Sequence, residues 1–380
     1  MLKDQLVQGI ALLQQKGLHR KRQLVERGLV NFSSNDYLSI TEEPALQKAF
    51  AKGFLNYPSG SGGSMVVCGY HPMHRALEQA FSSALAVDDA LLFSSGYAAN
   101  LAIIALLRSF KTHVIIDKGV HASFYDGLKT TGSPFSRYFH TNLDDLRSKL
   151  KACEPQNAAV ITESIFSMSG QASNLLDISQ LAHHFKADCL IDEAHAFGVL
   201  GPEGLGAVMG YGLTQKEIPL RIIPFGKALG LQGAVVAGSG EWIDALLQFG
   251  RASIYSTAMS PAVACGLVDT LSFIRNATNR RNKLFQLIDY FTSCTKQSAL
   301  HFNFSTTPIQ QLKLGCPQKA LLCAKYLQER GVFCQAIRSP TVTKEETGLR
   351  IILNFAHEPE HIDALFFHLN QFEVHHAVTY

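Results

Sequence analysis

The stretch Cys189-Leu190-Ile191-Asp192-Glu193-Ala194-His195 is a short apolar run that ends in two ionisable groups, Asp192 and His195. Such a run predicts a buried strand, and buried strands seldom end in an acid and a histidine that have no use. The alternative is an aspartate that caps the next helix, with His195 bonded to the backbone. The stretch therefore indicates a strand whose carboxyl end carries chemistry.

Five similar runs lie on either side of this stretch, and helical patterns separate most of them. They are Ala90–Phe93, His113–Ile116, Ala158–Thr162, Arg221–Pro224 and Gly233–Ala237. This alternation predicts an α/β protein with a mainly parallel sheet covered by helices. The connection over residues 227–232 is too short for a crossover helix, so we expect one antiparallel strand and a mixed sheet.

The pattern changes after Ser260-Pro261 to a long helical segment through Arg280-Arg281, and then to short strands and helices. We therefore predict a large domain over residues 46–270 and a smaller C-terminal domain over residues 271–380. Residues 1–45 are predicted to form a helix followed by the strand Leu29–Ser33, packed on one or both domains. The length of 380 residues agrees with two to three domains.

Composition excludes several classes of protein. Hydrophobic residues make up 47% of the chain and charged residues 17%, so it is not of the disordered class. The formal net charge of +3 gives no reason to expect a nucleic-acid partner. The longest relevant apolar run, Leu101–Leu107, is far shorter than the ~20 residues that span a membrane. No secretory signal follows Met1, and the eight cysteines include no Cys-x-x-Cys pair, so we expect a cytoplasmic protein with reduced thiols.

Two further stretches place chemistry at predicted strand ends. Ser95-Gly96-Tyr97 is predicted to be a turn before a helix, which leaves backbone N–H groups free for a phosphate. The alternative is an ordinary helix N-cap, which has the same sequence pattern. Lys227 lies between small residues just past another strand; a desolvated lysine there can form a Schiff base, and the alternative is a surface lysine in a turn. Together with Asp192, these features are what pyridoxal 5′-phosphate requires.

With these features, the sequence resembles the α-oxoamine synthases, a family of fold-type I pyridoxal-phosphate-dependent transferases. The resemblance covers nearly the whole chain, through Asn31–Leu38, Gly60–Ser64, His74–Glu78, Ser95–Asn100, Asp117–His121, Thr162–Met168, Asp192–Gly201, Phe225–Lys227, Ile254–Thr257 and Arg338–Val342. It implies a mainly parallel, mixed sheet of seven strands with helices on both faces, and a smaller α+β C-terminal domain. It also implies a homodimer with shared active sites.

The resemblance assigns catalytic roles to Lys227, His121 and Asp192. Lys227 would bind the cofactor and then remove the Cα proton of the amino acid, Asp192 would keep the pyridine nitrogen protonated, and His121 would stack on the ring. The other cofactor-binding residues that it implies are Gly96, Tyr97, Ser167, His195, Ser256 and Thr257, the last two from the neighbouring subunit. The substrate-binding residues that it implies are Arg20, Asn35, His121, Thr341 and Arg350. No metal is implied.

Within the family, the sequence looks most like the members that join L-alanine to a pimeloyl thioester in biotin biosynthesis. The carrier of the acyl group, coenzyme A or acyl carrier protein, stays open. The alternatives are the relatives that use glycine, namely glycine C-acetyltransferase and 5-aminolevulinate synthase, and the synthases of long-chain aminoketones. A cofactor-less binding or structural homologue is a further alternative, against which the retention of Lys227, Asp192, His121 and His195 argues.

Two positions and the length of one segment depart from the family's pattern. Pro224 stands where a threonine usually precedes the lysine by three residues, and Gly348 replaces a frequent arginine two residues before Arg350. The segment between Arg20 and Asn35 is shorter than usual. Separately, the string His357-Glu358-Pro359-Glu360-His361 fits a zinc-protease motif, but its proline belongs in the first turn of a helix and is expected to leave the first histidine outside it.

Overall fold

The computed structural model describes residues 1–153 and 157–376. The strands, in chain order, are β1 Val30–Asn31, β2 Asp89–Phe93, β3 His113–Asp117, β4 Phe135–Tyr138, β5 Ala158–Glu163, β6 Asp188–Asp192, β7 Leu220–Pro224, β8 Ala234–Gly238, β9 Ile309–Lys313, β10 Val332–Phe333, β11 Gln335–Ile337 and β12 Gly348–Ile352. The α-helices are α1 Leu2–Gln15, α2 Pro44–Asn56, α3 Pro72–Leu85, α4 Gly96–Ser109, α5 Ala122–Thr131, α6 Leu143–Ala152, α7 Leu175–His184, α8 Ala207–Gly210, α9 Gly240–Phe249, α10 Arg251–Ile254, α11 Pro261–Asn276, α12 Thr278–Gln297, α13 Pro317–Gln328 and α14 Pro359–His376.

The chain divides into two compact units. The large unit comprises Asp36–Ser167 and Ala172–Arg281, and the small unit comprises Met1–Asn35, Met168–Gln171 and the chain from Asn282 onward. The boundaries drawn from the sequence at residues 45 and 270 stay predictions. In the described part of the chain, no helix is long and apolar enough to cross a membrane.

The large unit contains a seven-stranded sheet in the order β2-β8-β7-β6-β5-β3-β4. Strand β8 is antiparallel to both of its neighbours, and the remaining neighbours pair in parallel. The prediction of a mixed, mainly parallel sheet is therefore confirmed, and all six predicted runs are strands. The apolar runs in the sequence did not predict β4, which lies at one edge of the sheet.

Apolar side chains cover both faces of this sheet. In β2, Leu91 and Phe93 join a core that includes helices α4, α5 and α9, whereas Ala90 and Leu92 join a second core with α3 and α11. Successive side chains of a strand point to opposite faces, so this division puts helices on both sides. In such folds, ligands bind at the carboxyl edge of the parallel strands.

The small unit is built from helices and short strands. Its three-stranded antiparallel sheet has the order β11-β12-β9, and β1 pairs in parallel with β10. Arg350, in the centre of β12, lies opposite Gln335 on one side and Gln311 on the other. The α+β character predicted for the C-terminal part of the chain agrees with these elements.

The predicted long helical segment after Ser260-Pro261 is two helices, with a break at Ala277 between α11 and α12. Arg281, in the first turns of α12, folds back and donates Nη1 to the carbonyl of Ile274 at 2.6 Å and Nη2 to that of Arg275 at 3.2 Å. The last carbonyls of a helix have no partner within it, so the guanidinium stabilises the end of α11.

Candidate active site

Asp192 ends strand β6 and is 3% exposed. Its Oδ1 accepts the backbone N–H of Ala194 at 2.9 Å, and its Oδ2 accepts from Nδ2 of Asn100 at 3.3 Å. Asn100 lies one turn into α4 and donates also to Oγ of Ser123 at 3.0 Å. Two donors from different elements thus fix a carboxylate at the carboxyl edge of the sheet.

His121 lies beside this carboxylate. It is the N-cap of α5, where its Nδ1 atom is 2.8 Å from Oγ of Ser123. Burial lowers the pKa of His121, the charge of Asp192 raises it, and that of Lys227 lowers it. Asp192 and Lys227 therefore both act electrostatically on His121 within the large unit.

Glu163 connects these residues and was not assigned from the sequence. It ends β5, directly opposite Asp192 in the strand pairing, and is 2% exposed. Its carboxylate accepts the backbone N–H of His121 at 2.5 Å and also that of Ser167. Burial and the neighbouring Asp192 raise the pKa of Glu163 well above its usual range. Ser167 is therefore part of the same cluster, and its role near the cofactor stays a prediction.

Lys227 lies half-buried in the turn between β7 and β8. This turn is closed by the N–H of Gly230, which donates to the carbonyl of Lys227 at 2.8 Å, and by that of Leu231, which donates to Phe225 at 2.9 Å. The turn follows the end of β7, next to β6 in the sheet, so the lysine and Asp192 extend from neighbouring strands.

The predicted phosphate turn begins α4. Ser95 caps the helix by accepting the N–H of Ala98 at 3.1 Å, and the N–H groups of Gly96 and Tyr97 belong to the first turn, which has no intrahelical acceptors for them. A Cβ atom at residue 96 would lie 2.6 Å from Cγ of Pro224. Only glycine permits this approach, so Pro224 packs directly on the turn where a phosphate would bind.

His195 is 4% exposed, and its Nδ1 atom lies 2.5 Å from the hydroxyl of Tyr37. Sequence reasoning assigned His195 but missed Tyr37, which is 158 residues away in the chain. The stretch Asn31–Leu38 was the available signal, since it contains Tyr37 and belongs to the family resemblance. The tyrosine hydroxyl lies at the Nδ1 edge of the imidazole and orients the ring.

Ser256 and Thr257 follow α10 in the large unit. They line a small cavity together with Met65, Phe93 and Ser94, the residue that precedes the cap of α4. Within one chain, the two hydroxyls therefore lie near the predicted phosphate turn. Their predicted contribution to a neighbouring subunit stays a prediction.

The small unit contains four of the five predicted substrate-binding residues, and the fifth, His121, lies in the large unit. Arg350 donates Nη2 to Oδ1 of Asn35 at 3.0 Å, which joins two residues assigned to the amino-acid carboxylate. Arg20 and Thr341 are exposed and both lie next to Arg338: the N–H of Thr341 donates to the carbonyl of Arg338 at 2.9 Å, and Arg20 together with burial lowers the pKa of Arg338. The sequence assigned no role to Arg338.

The departure at Gly348 has a steric reason. A Cβ atom at this position would lie 1.8 Å from the carbonyl oxygen of Leu312 on the paired strand β9. An arginine cannot replace this glycine without a shift of one strand.

In the segment that fits a zinc-protease motif, His357 lies outside the helix as predicted, because α14 begins at Pro359. His357 is buried against the ring of Phe32, and its Nδ1 accepts the N–H of Asn354 at 3.0 Å. Burial lowers the pKa of His357 to about 4. Among the described residues, no cluster of histidine, cysteine and acidic side chains could hold a metal ion.

The large unit fits pyridoxal 5′-phosphate. Asp192 is a buried carboxylate suited to a protonated ring nitrogen, and Oδ1 of neighbouring Asn100 is a buried acceptor that has no hydrogen-bond partner in the described part of the chain. The α4 turn begins with Gly96, which has no side chain, and Lys227 supplies an amine. An acid, a phosphate turn and a lysine thus occur together in one unit.

Comparisons with known proteins agree with this geometry. The family model "Aminotransferase class I and II" matches residues 27–369. An 8-amino-7-oxononanoate synthase of Alcanivorax borkumensis is 38% identical over 89% of this chain and 88% of its own, and one of Alkalilimnicola ehrlichii is 35% identical over 97% and 98%. Among solved structures, the 8-amino-7-oxononanoate synthase of Francisella tularensis has a TM-score of 0.82 at 27% identity, over 93% of this chain and 100% of that one. A serine palmitoyltransferase of Sphingomonas wittichii has a TM-score of 0.90 at 21% identity, over 99% and 98%, which supports the fold.

The chain belongs to the aminotransferase class I and II family of pyridoxal-phosphate-dependent fold-type I enzymes. Within that family, its similarity is to the 8-amino-7-oxononanoate synthases, acyltransferases of biotin biosynthesis. The predictions of family, fold class, enzyme class and cofactor are confirmed.

Proposed function

We propose that this enzyme condenses L-alanine with a pimeloyl thioester, of coenzyme A or of acyl carrier protein, to give 8-amino-7-oxononanoate. The names of the relatives support the reaction. The observation that carries the proposal is the grouping of Asp192 and Lys227 about His121, whose pKa both charges shift, at the carboxyl edge of the sheet. A cofactor-less homologue would have no need of this arrangement.

Pyridoxal 5′-phosphate, when bound, supplies an electron sink for the negative charge that develops on the amino-acid Cα. Asp192 would hold the proton of the ring nitrogen, since Ala194 and Asn100 already fix the carboxylate. Lys227 would bind the cofactor and act as the base that takes the Cα proton. His121, kept neutral by burial, would stack on the ring without adding a positive charge.

The remaining cofactor contacts divide between the phosphate and the phenolic oxygen. The N–H groups of Gly96 and Tyr97 would bind the phosphate at the N-terminus of α4. The hydroxyls of Ser256 and Thr257 would bind it as well. His195 and Ser167 would lie near the phenolic oxygen, with His195 oriented by Tyr37.

The small unit would bind the substrates. Arg350 presents a planar fork of donors, which suits the carboxylate of the amino acid, and Asn35 accepts from that guanidinium and so orients it. We assign Arg20 and Thr341 to substrate contact as well. The homodimer with shared active sites and the cytoplasmic location belong to this proposal.

The proposed reaction balances without an oxidant or reductant. Loss of the Cα proton of alanine to Lys227 leaves an electron pair that forms a bond to the acyl carbon. The carbon–sulfur bond breaks and the thiolate leaves with a proton. The alanine carboxyl group then leaves as CO2, and a proton returns to the carbon that carried it.

A product assay tests this function. The holoenzyme is incubated with alanine, glycine or serine, each with pimeloyl, acetyl, succinyl and palmitoyl thioesters of both carriers, and products are identified by mass spectrometry. We expect turnover to be greatest for alanine with a pimeloyl thioester, and an Asp192→Asn variant is the control for uncatalysed reaction. Preference for glycine or serine, or for another acyl group, would assign the enzyme to a different branch of the family.

A further inference from the structure

A short segment that contains both predicted phosphate hydroxyls, Ser256–Met259, is bonded to the glycine- and serine-rich stretch near residue 60. The N–H of Ala258 donates to the carbonyl of Gly63 at 2.9 Å, and Oγ of Ser61 donates to the carbonyl of Ala258 at 2.8 Å. Thr257 also forms an isolated antiparallel bridge with Ser64. We call Ser256–Met259 the hydroxyl segment. The glycine- and serine-rich stretch thus holds the backbone of this segment at Thr257 and Ala258.

His74 holds the far end of the hydroxyl segment. Its side chain is fully buried, with Nε2 at 2.8 Å from the carbonyl oxygen of Met259 and Nδ1 at 3.0 Å from the backbone nitrogen of His71. A carbonyl only accepts and a backbone N–H only donates, so the proton of His74 is on Nε2. Burial lowers the pKa of His74, which keeps the ring neutral and this tautomer in place.

Close packing surrounds the carbonyl of Gly63, which accepts from the hydroxyl segment. A Cβ atom at Gly69 would lie 2.1 Å from the carbonyl oxygen of Gly63. A larger residue at 69 would push that carbonyl away and break the bond that it accepts from Ala258. The absence of a side chain at Gly69 therefore keeps the carbonyl of Gly63 in place to bind the hydroxyl segment.

We infer that Ser61 and His74 are positioning residues that hold the hydroxyl segment so that Ser256 and Thr257 present preformed donors to the phosphate of the cofactor. The inference rests on the proposed function. Donors on a free loop would lose conformational entropy on binding, and a fixed backbone removes that cost before the phosphate arrives. Neither residue contacts the cofactor in this account, so their effect should depend on the phosphate group.

The test compares His74→Asn with His74→Gln. Asparagine can still accept the N–H of His71 but is too short to reach Met259, whereas the amide of glutamine extends to the position of Nε2 and can donate to that carbonyl. Holoenzymes are prepared with pyridoxal 5′-phosphate or with phosphate-free pyridoxal, and cofactor dissociation constants are measured by absorbance. We expect His74→Asn to weaken binding of the phosphorylated cofactor by about 10-fold, equivalent to ~1.4 kcal/mol. Binding of pyridoxal should change by less than about 2-fold on the same scale.

His74→Gln should restore most of the lost affinity. Equal weakening of both cofactors by His74→Asn would show a general structural role and overturn the inference, as would unchanged binding of both. If His74→Asn does not fold, Ser61→Ala removes the bond to Ala258 at a half-buried site. The same comparison is then made between its binding of pyridoxal 5′-phosphate and its binding of pyridoxal.

A Ser256→Ala, Thr257→Val double variant separates this inference from the proposed function. If it loses the preference for the phosphorylated cofactor and the His74 and Ser61 variants keep it, the inference is wrong and the phosphate assignment stands. If the double variant keeps the preference, the phosphate assignment is wrong, and the inference fails with it.

Discussion

Gly96 and Pro224 lie in contact at the carboxyl ends of the sheet strands: a Cβ atom at residue 96 would be 2.6 Å from Cγ of Pro224. The family's usual threonine at this position would offer a hydroxyl beside the phosphate turn. The proline instead presents an apolar ring to the same turn. The main departure of the sequence from its family thus lies directly on the predicted phosphate site.

We expect Pro224→Thr to slow loss of the cofactor from the holoenzyme. A hydrogen bond to a charged phosphate contributes roughly 1.5–3 kcal/mol, and loss of the rigid proline offsets part of it. Cofactor release during dialysis at fixed pH measures the effect, with Pro224→Ala as the control that removes the ring without adding a hydroxyl. If the threonine variant releases cofactor as fast as the alanine variant or faster, the phosphate is bound in a different way.

Asp192→Asn should lower turnover by several orders of magnitude with the fold nearly intact. The amide oxygen can still accept from Ala194, but the NH2 group cannot accept from Asn100, and the amide carries no charge to hold a proton on the ring nitrogen. Turnover per bound cofactor is the measurement. Asp188→Asn, at the other end of the same strand, is the matched control and should stay near the wild-type rate. A cofactor-loaded Asp192→Asn enzyme with normal turnover would remove Asp192 from its role.

Arg350→Lys should raise the KM for alanine by about 10- to 100-fold and change kcat less, because an ammonium group cannot form the paired bonds of a guanidinium. Steady-state kinetics with varied alanine measure this. Arg330→Lys, at a position where the guanidinium lies over the ring of Tyr326 in the small unit, is the control. A larger fall in kcat than rise in KM would place Arg350 in the chemical step rather than in carboxylate binding.

Glu78 should make the protein less stable as pH rises. Burial is the main cause that raises the pKa of Glu78 to about 7, even though Tyr70 donates to the carboxylate at 2.5 Å. The native state therefore binds more protons than the unfolded state above the ordinary glutamate pKa, and its stability falls as pH passes from about 4.5 to 7.

Glu78→Gln should remove this dependence, which is at most about 3 kcal/mol for a shift of this size. The free energy of unfolding at pH 5 and pH 8 measures it in both proteins. Glu42→Gln, at an exposed site in the same unit, is the control. Equal pH dependence in the wild type and in Glu78→Gln would show that Glu78 titrates normally in the native state.

The sequence predicted the sheet where strands are buried on both faces, because runs such as Ala158–Thr162 are apolar throughout. It missed Phe135–Tyr138, whose Ser136 and Arg137 are tolerated only because β4 is an edge strand with one neighbour. It also missed the end of a helix at Ala277, where the side chain of Arg281 satisfies the carbonyls. That bond depends on the fold of the backbone and leaves no local pattern.

The candidate site could be predicted to the extent that its residues follow strands. Asp192 and Lys227 stand directly after apolar runs, and parallel strands bring such ends to one edge. Glu163 also ends a strand, but its bond to the backbone of His121 depends on the order of β3 and β5 in the sheet. Tyr37 lies in the family-like stretch Asn31–Leu38, but its contact with His195 could not be predicted, since only the folded chain brings the two together.

The central claim is that Lys227 is the lysine that binds pyridoxal 5′-phosphate. Reduction of the purified holoenzyme with borohydride, followed by proteolysis and mass spectrometry of the peptides, tests it most directly. We predict a phosphopyridoxyl group on Lys227, and a Lys227→Ala variant that carries none. A phosphopyridoxyl group on any other lysine of the wild-type protein, or none on Lys227 of a cofactor-loaded sample, would contradict the account.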